Sequence, residues 1–119
     1  MGFTSYKDLK VWQKGIDLVK LTYELTKLLP QEEEYGLKGQ LRRSAVSIPS
    51  NIAEGYGRGT TKSYLNFLRI SRGSLVELET QIIICKELDL IDNESTVNIL
   101  SLILEENKML NALIRSIDN

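Results

Sequence analysis

The sequence predicts an all-α fold, an antiparallel four-helix bundle with up-down-up-down topology. Apolar residues recur at spacings of three and four along four separate stretches, the mark of amphipathic helices. The breaks between those stretches are short, and short connections make consecutive helices neighbours. The whole chain has 119 residues, with 42% hydrophobic and 26% charged residues. That is one soluble-type domain, long enough for a real core.

The first helix is expected from residue 5 or 6 to residue 28. Leu9, Trp12, Ile16, Val19, Tyr23 and Thr26 recur at helical spacing, with lysines between them. Trp12 on that stripe reads as a core anchor rather than a platform for stacked bases. Ser5, followed three residues later by Asp8, suggests a capping box. Pro30 stops the helix. The acidic run Gln31-Glu32-Glu33-Glu34 is a solvated loop or the first turn of the second helix, and it has no metal-ligand spacing.

The second helix is expected over 36–54. Leu37, Leu41, Ala45, Ile48 and Ile52 are spaced 4, 4, 3 and 4, and the stripe stays in phase across Pro49. Within a helix, Pro49 loses its own N–H bond and crowds the carbonyl of Ala45, at a cost of roughly 3 kcal/mol. Ser44, Ser47 and Ser50 are placed to hydrogen-bond the disturbed backbone. Two readings stand: one continuous, kinked helix, or a break in which Ser47 caps a new helix with Pro49 in its first turn. Gly55-Tyr56-Gly57-Arg58-Gly59 then ends the helix, and Thr60 or Thr61 caps the next. This glycine run fails both phosphate-binding patterns. The nucleotide loop needs Gly-Lys-Ser/Thr at its end, the dinucleotide fingerprint needs a third glycine where Thr60 stands, and no strand precedes the turn.

The third helix, over 61–88, is expected to be the longest. Tyr64, Leu68, Ser71, Leu75, Leu78, Ile82 and Cys85 form its inner stripe, which makes Cys85 a core residue. Ser71, Gly73 and Ser74 make a narrow waist for a close neighbour. Gly73 costs about 1 kcal/mol relative to alanine, so a packing reason for it is expected. Lys62, Asn66 and Arg69 share a face, with Arg72 a turn further on. After a short connection over 89–93, Asn93 or Ser95 caps a fourth helix running to about residue 117. Val97, Leu100, Ile103 or Leu104, Leu110 and Ile114 lie on its inner side. Ile70, Ile83, Ile84, Ile99 and Leu102 are surplus to the three apolar positions in seven that a bundle helix needs. They belong either to a widened core or to a subunit interface.

Composition excludes much chemistry. Histidine is absent, so no catalytic triad, histidine base or His-ligated metal site arises within the chain. A lone cysteine makes no thiolate cluster and no internal disulfide. The carboxylates Glu54, Glu77, Glu79, Glu105 and Glu106 have no base or nucleophile at a persuasive spacing, so no catalytic residue, metal or cofactor is expected. There is no apolar run of about 18 residues and no apolar region near the N-terminus, so a cytoplasmic protein without membrane contact is expected. The net charge of −1 hides a polarised chain. Residues 36–73 carry seven basic side chains against Glu54 alone. Residues 74–119 carry three against nine acids.

The run Ser47-Ile48-Pro49-Ser50-Asn51-Ile52-Ala53-Glu54-Gly55, followed by Tyr56-Gly57-Arg58-Gly59, resembles the signature of the 23S rRNA intervening-sequence proteins. These are four-helix bundles related to the accessory variability determinant of diversity-generating retroelements. Asp8-Leu9-Lys10-Val11-Trp12, the segment from Arg69 to Glu79, and Lys86-Glu87-Leu88 match as well, so the resemblance spans nearly the whole chain. It implies a homo-oligomer, a pentamer with its bundles arranged as a barrel. It makes Ser47, Pro49, Ser50, Asn51, Glu54, Gly55, Gly57 and Gly59 a structural motif. The function expected is that of a non-catalytic nucleic-acid-binding or ribonucleoprotein accessory module. Arg42, Arg43, Arg58, Lys62, Arg69 and Arg72 would gather at one end and face to meet structured RNA or DNA. The sequence pI near 5.5 keeps a second reading open, an oligomeric scaffold that meets a protein partner instead.

Overall fold

The computed structural model describes residues 5–118, and among them every regular element is helical. Four long helices carry the fold: α1 (Lys10–Thr26), α2 (Leu37–Gly57), α3 (Thr61–Glu87) and α4 (Asn93–Asp118). They pack in cyclic order, α1 on α2, α2 on α3, α3 on α4 and α4 back on α1. Ser44 meets Gln81 while Ser71 meets Ile48, and Arg72 meets Asn111 while Arg69 meets Asp118.

α1 begins later than its periodicity suggests. Ser5 caps a 3-10 turn, Tyr6–Asp8, by accepting from the Lys7 N–H at 3.1 Å. Leu9 is extended (φ −75°, ψ 129°), so the α-helix starts at Lys10. The buried line of α1 is also displaced from the expected one. Val11, Gly15, Leu18, Thr22 and Leu25 face the core, and of the predicted stripe only Leu9 and Thr26 are buried. Trp12, Ile16 and Val19 are half-buried and Tyr23 is exposed. α1 is apolar over an arc wide enough for two lines, and Gly15 decides between them. A Cβ built there would lie 3.2 Å from Cβ of Pro49, so α1 and α2 approach each other closely here.

After Pro30 the acidic run forms a second 3-10 turn, Gln31–Glu33. The Glu33 carboxylate then accepts from the Leu37 N–H at 3.3 Å, at the start of α2. α2 is one continuous helix through Pro49, which settles the open choice against a break at Ser47. It also runs past the predicted end at residue 54, because Gly55 and Gly57 remain helical. The left-handed glycine is Gly59 (φ 81°), and Thr60 caps α3 by accepting from the Ser63 N–H. Gly55 has a different use: a Cβ there would stand 2.7 Å from Cβ of Phe67, so α2 and α3 meet with nothing between them.

The predicted inner stripe of α3 is buried from Leu68 to Cys85, with Tyr64 half-buried. Gly73 departs from expectation, since a Cβ there would meet nothing within 4 Å, and no contact within the bundle requires it. The chain leaves α3 through Asp89 (φ 58°), with the Leu90 N–H bonded to the Cys85 carbonyl. α4 is capped by Asp92, not by Asn93 or Ser95: its Oδ1 accepts from the Ser95 N–H at 2.8 Å. That bond holds the Asp92 carboxyl below the usual range. Ile99 belongs to the core rather than to the surplus, and Val97 faces outward, because the buried line of α4 runs Thr96, Ile99, Ile103, Glu106, Leu110, Ile114.

Candidate nucleic-acid interface

The α2–α3 hairpin is held by a line of small polar residues. Ser44 Oγ donates toward Gln81 Oε1 at 2.9 Å and Glu77 Oε1 at 3.1 Å. Ser47 Oγ and Ser74 Oγ are 2.7 Å apart, and Asn51 Nδ2 donates to both the carbonyl and the hydroxyl of Ser47 at 2.8 Å. Ser71 Oγ donates to the Ile48 carbonyl at 2.9 Å, one residue before Pro49. Ser50 is exposed beside Pro49 in the groove between α1 and α2, and Gly57 faces open space.

The six candidate cations surround this hairpin and do not converge on one corner. Arg42 leans toward α1, where its Nε donates to Thr26 Oγ1 at 3.0 Å and its guanidinium lies 4.5 Å from the Tyr23 ring centroid. Arg69 and Arg72 lean toward α4, to Asp118 at 3.2 Å and to the Asn111 side-chain oxygen at 3.0 Å. Arg58 and Lys62 stand at the α2–α3 turn. Arg58 pairs with Glu54 at 2.7 Å and lies over the Phe67 ring, while Lys62 is exposed. Arg43 folds back against Gly39, whose missing side chain leaves room for the guanidinium. Arg42 and Arg58 are separated by about 24 Å of helix axis.

The cations are of two kinds. Arg58 and Arg69 are neutralised by carboxylates. Arg42 and Arg72 rest on neutral groups, and Arg43 and Lys62 form no ion pair among the described residues.

Two features went unread in the sequence. The first is a groove of about 470 Å³ lined by Gln40, Arg43, Ser44, Ser47, Glu77 and Gln81. Its signal was present as polar residues facing each other across a seam that should be apolar. The second is Glu106, fully buried, with neither carboxylate oxygen hydrogen-bonded to protein. Burial, together with the nearby Glu105 charge, pushes its carboxyl up to about 8, and Lys14 opposes that only in part. Its signal was an acid in the 4-3-4 run Ile99, Ile103, Glu106, Leu110. Cys85 is buried, and burial also pushes its thiol up. Among the described residues no group of three or more His, Cys, Asp or Glu side chains is placed to hold a metal ion, and no helix is long and apolar enough to cross a membrane.

Fold and surface together define an all-helical bundle in which nothing points to catalysis. The chain belongs to the 23S rRNA-intervening sequence protein family, whose model matches residues 7–112. It is similar in fold to a crystal structure of a protein of unknown function from the S23 ribosomal protein family of Bacteroides thetaiotaomicron. The TM-score is 0.81 at 26% identity, over 87% of this chain and 97% of that one. No curated protein matches the chain.

Proposed function

We propose that this protein is a non-catalytic, nucleic-acid-binding accessory module of the cytoplasm that works as a homo-oligomer, an antiparallel up-down-up-down bundle repeated around a pentameric barrel. The observation that carries the binding half is the cation inventory. Arg42, Arg43, Lys62 and Arg72 have no carboxylate partner among the described residues. A cation already paired gains little from a phosphate, whereas an unpaired one releases a counterion when it meets one. Repetition around a ring multiplies a modest patch into an avid one.

Two apolar surfaces support the oligomer. Trp12, Ile16, Val19, Val46 and Ala53 line a groove of about 300 Å³ between α1 and α2. Val76 and Leu104 line a smaller one between α3 and α4, with Ile83 two turns further along α3. Different surfaces on one subunit suit a head-to-tail contact, which closes into a ring when the rotation permits. The same apolar residues favour the second reading, a scaffold whose partner is a protein.

The test is a fluorescence titration with structured RNA and duplex DNA over a salt series, alongside light scattering for mass. Binding should weaken linearly with log salt, and Arg42→Ala and Lys62→Ala should each lower the slope by about one at unchanged oligomer size. No binding at ~50 mM salt would leave the scaffold as the better reading.

A further inference from the structure

We infer that the polar groove between α2 and α3 is a pocket for an unpaired guanine base in a single-stranded RNA segment. The inference rests on the nucleic-acid reading above and adds to it what the protein reads.

The groove holds polar capacity that the α2–α3 seam leaves unused. At its floor lie Ser44 (4% exposed) and Gln81 (6% exposed), two buried polar side chains where apolar ones would pack without cost. Their mutual hydrogen bond uses the Ser44 hydroxyl proton and one lone pair of Gln81 Oε1. The Gln81 amide N–H groups and Glu77 Oε2 remain without a protein partner among the described residues. At the rim stands Arg43, which forms no ion pair among the described residues and is parked against Gly39. The volume of about 470 Å³ is in the ordinary range for a small-ligand site, about 300–1,000 Å³.

The two charges select the ligand class. A bare phosphate would suit Arg43 but meet the Glu77 carboxylate, and a simple cation would meet the reverse. The groove suits a neutral group that offers acceptors on one side and donors on the other. Guanine does this within one ring system. O6 and N7 stand side by side for a guanidinium, and N1–H and the N2 amino group stand side by side for a carboxylate. Adenine lacks the acceptor pair, and cytosine offers its carboxylate partner one amino group only. The N1–H and N2 edge is free only where the base is unpaired, and that is where proteins read RNA sequence.

The test measures fluorescence anisotropy of the full-length protein with labelled 12-nucleotide RNAs at ~50 mM salt. One strand is all uridine, and the others carry two separated guanines, adenines, cytosines or inosines. The guanine strand should bind about ten-fold tighter than the adenine and cytosine strands. Inosine, which lacks the N2 amino group, should lose part of that gain. Glu77→Gln, at an exposed position, should erase the guanine preference while retaining the affinity for the uridine strand. Arg43→Ala should lower affinity for the guanine strand most. Binding without base preference, or inosine equal to guanine, would overturn the pocket alone. If no strand binds, the uridine strand included, the nucleic-acid reading falls and the pocket falls with it.

Discussion

The bundle treats two of its buried polar sites differently. Along the α2–α3 seam, Ser44, Ser47, Asn51, Ser71 and Ser74 all have partners within 3.1 Å, and the helices lie close enough that Gly55 admits no side chain. In the α4 layer, Glu106 is just as buried, yet neither oxygen has a protein donor. A satisfied polar seam fixes register at little cost, because each group exchanges water for an equivalent bond. An unpartnered carboxyl stays buried only by keeping its proton. One region is specified by hydrogen bonds and the other is conditional on pH.

The largest expected effect tests the conditional half. Glu106 titrates near 8 when folded against an ordinary 4.5, so the folded state holds the proton more tightly. Its contribution is complete below pH 4.5 and is lost as pH rises toward 8, by on the order of 4 kcal/mol. Urea denaturation at pH 5, 6.5 and 8 should show that slope in the natural protein and a much flatter one in Glu106→Gln. Parallel curves would mean that Glu106 finds a partner when it ionises. The next effect breaks the satisfied half. Gly55→Ala places a Cβ 2.7 Å from Cβ of Phe67, so the hairpin must open, at a cost of about 1–3 kcal/mol. Thermal melts at pH 6 read it, and an unchanged midpoint would mean the seam is looser than its distances. The smallest effect sharpens the contrast on the outer face of α3. Gly73→Ala meets open space and should stabilise an isolated bundle by up to about 1 kcal/mol. Light scattering on the same variant shows whether the assembly tolerates the extra methyl group.

The long-range design was legible because it rests on periodicity. The stripe Leu41, Ala45, Ile48, Ile52 is buried throughout, and its phase across Pro49 correctly implied a single helix. What stayed hidden depends on which of two adjacent lines wins. On α1 the sequence offers Trp12, Ile16, Val19 and also Val11, Leu18, Leu25. Apolar spacing cannot rank them, because the choice is made by Gly15 against Pro49, a contact between helices. The cations were legible as residues but not as a patch. A helical face can be counted from sequence, whereas the partner that each long side chain finds, Tyr23 for Arg42 or Asn111 for Arg72, is a property of the packed bundle. The glycine run was misread by one element. Gly55 and Gly59 look alike in sequence, and only the proximity of Phe67 separates a contact glycine from a turn glycine.

α3 is bracketed by left-handed residues, Gly59 before it and Asp89 after it, in connections of only a few residues. Such joints have no slack. Adding one residue to the middle of α3 would turn everything beyond it by about 100°, and neither joint is long enough to unwind the error. The length of this helix is therefore as much a fixed quantity of the molecule as any side chain on it, and insertions are expected to collect outside the hairpin it forms with α2.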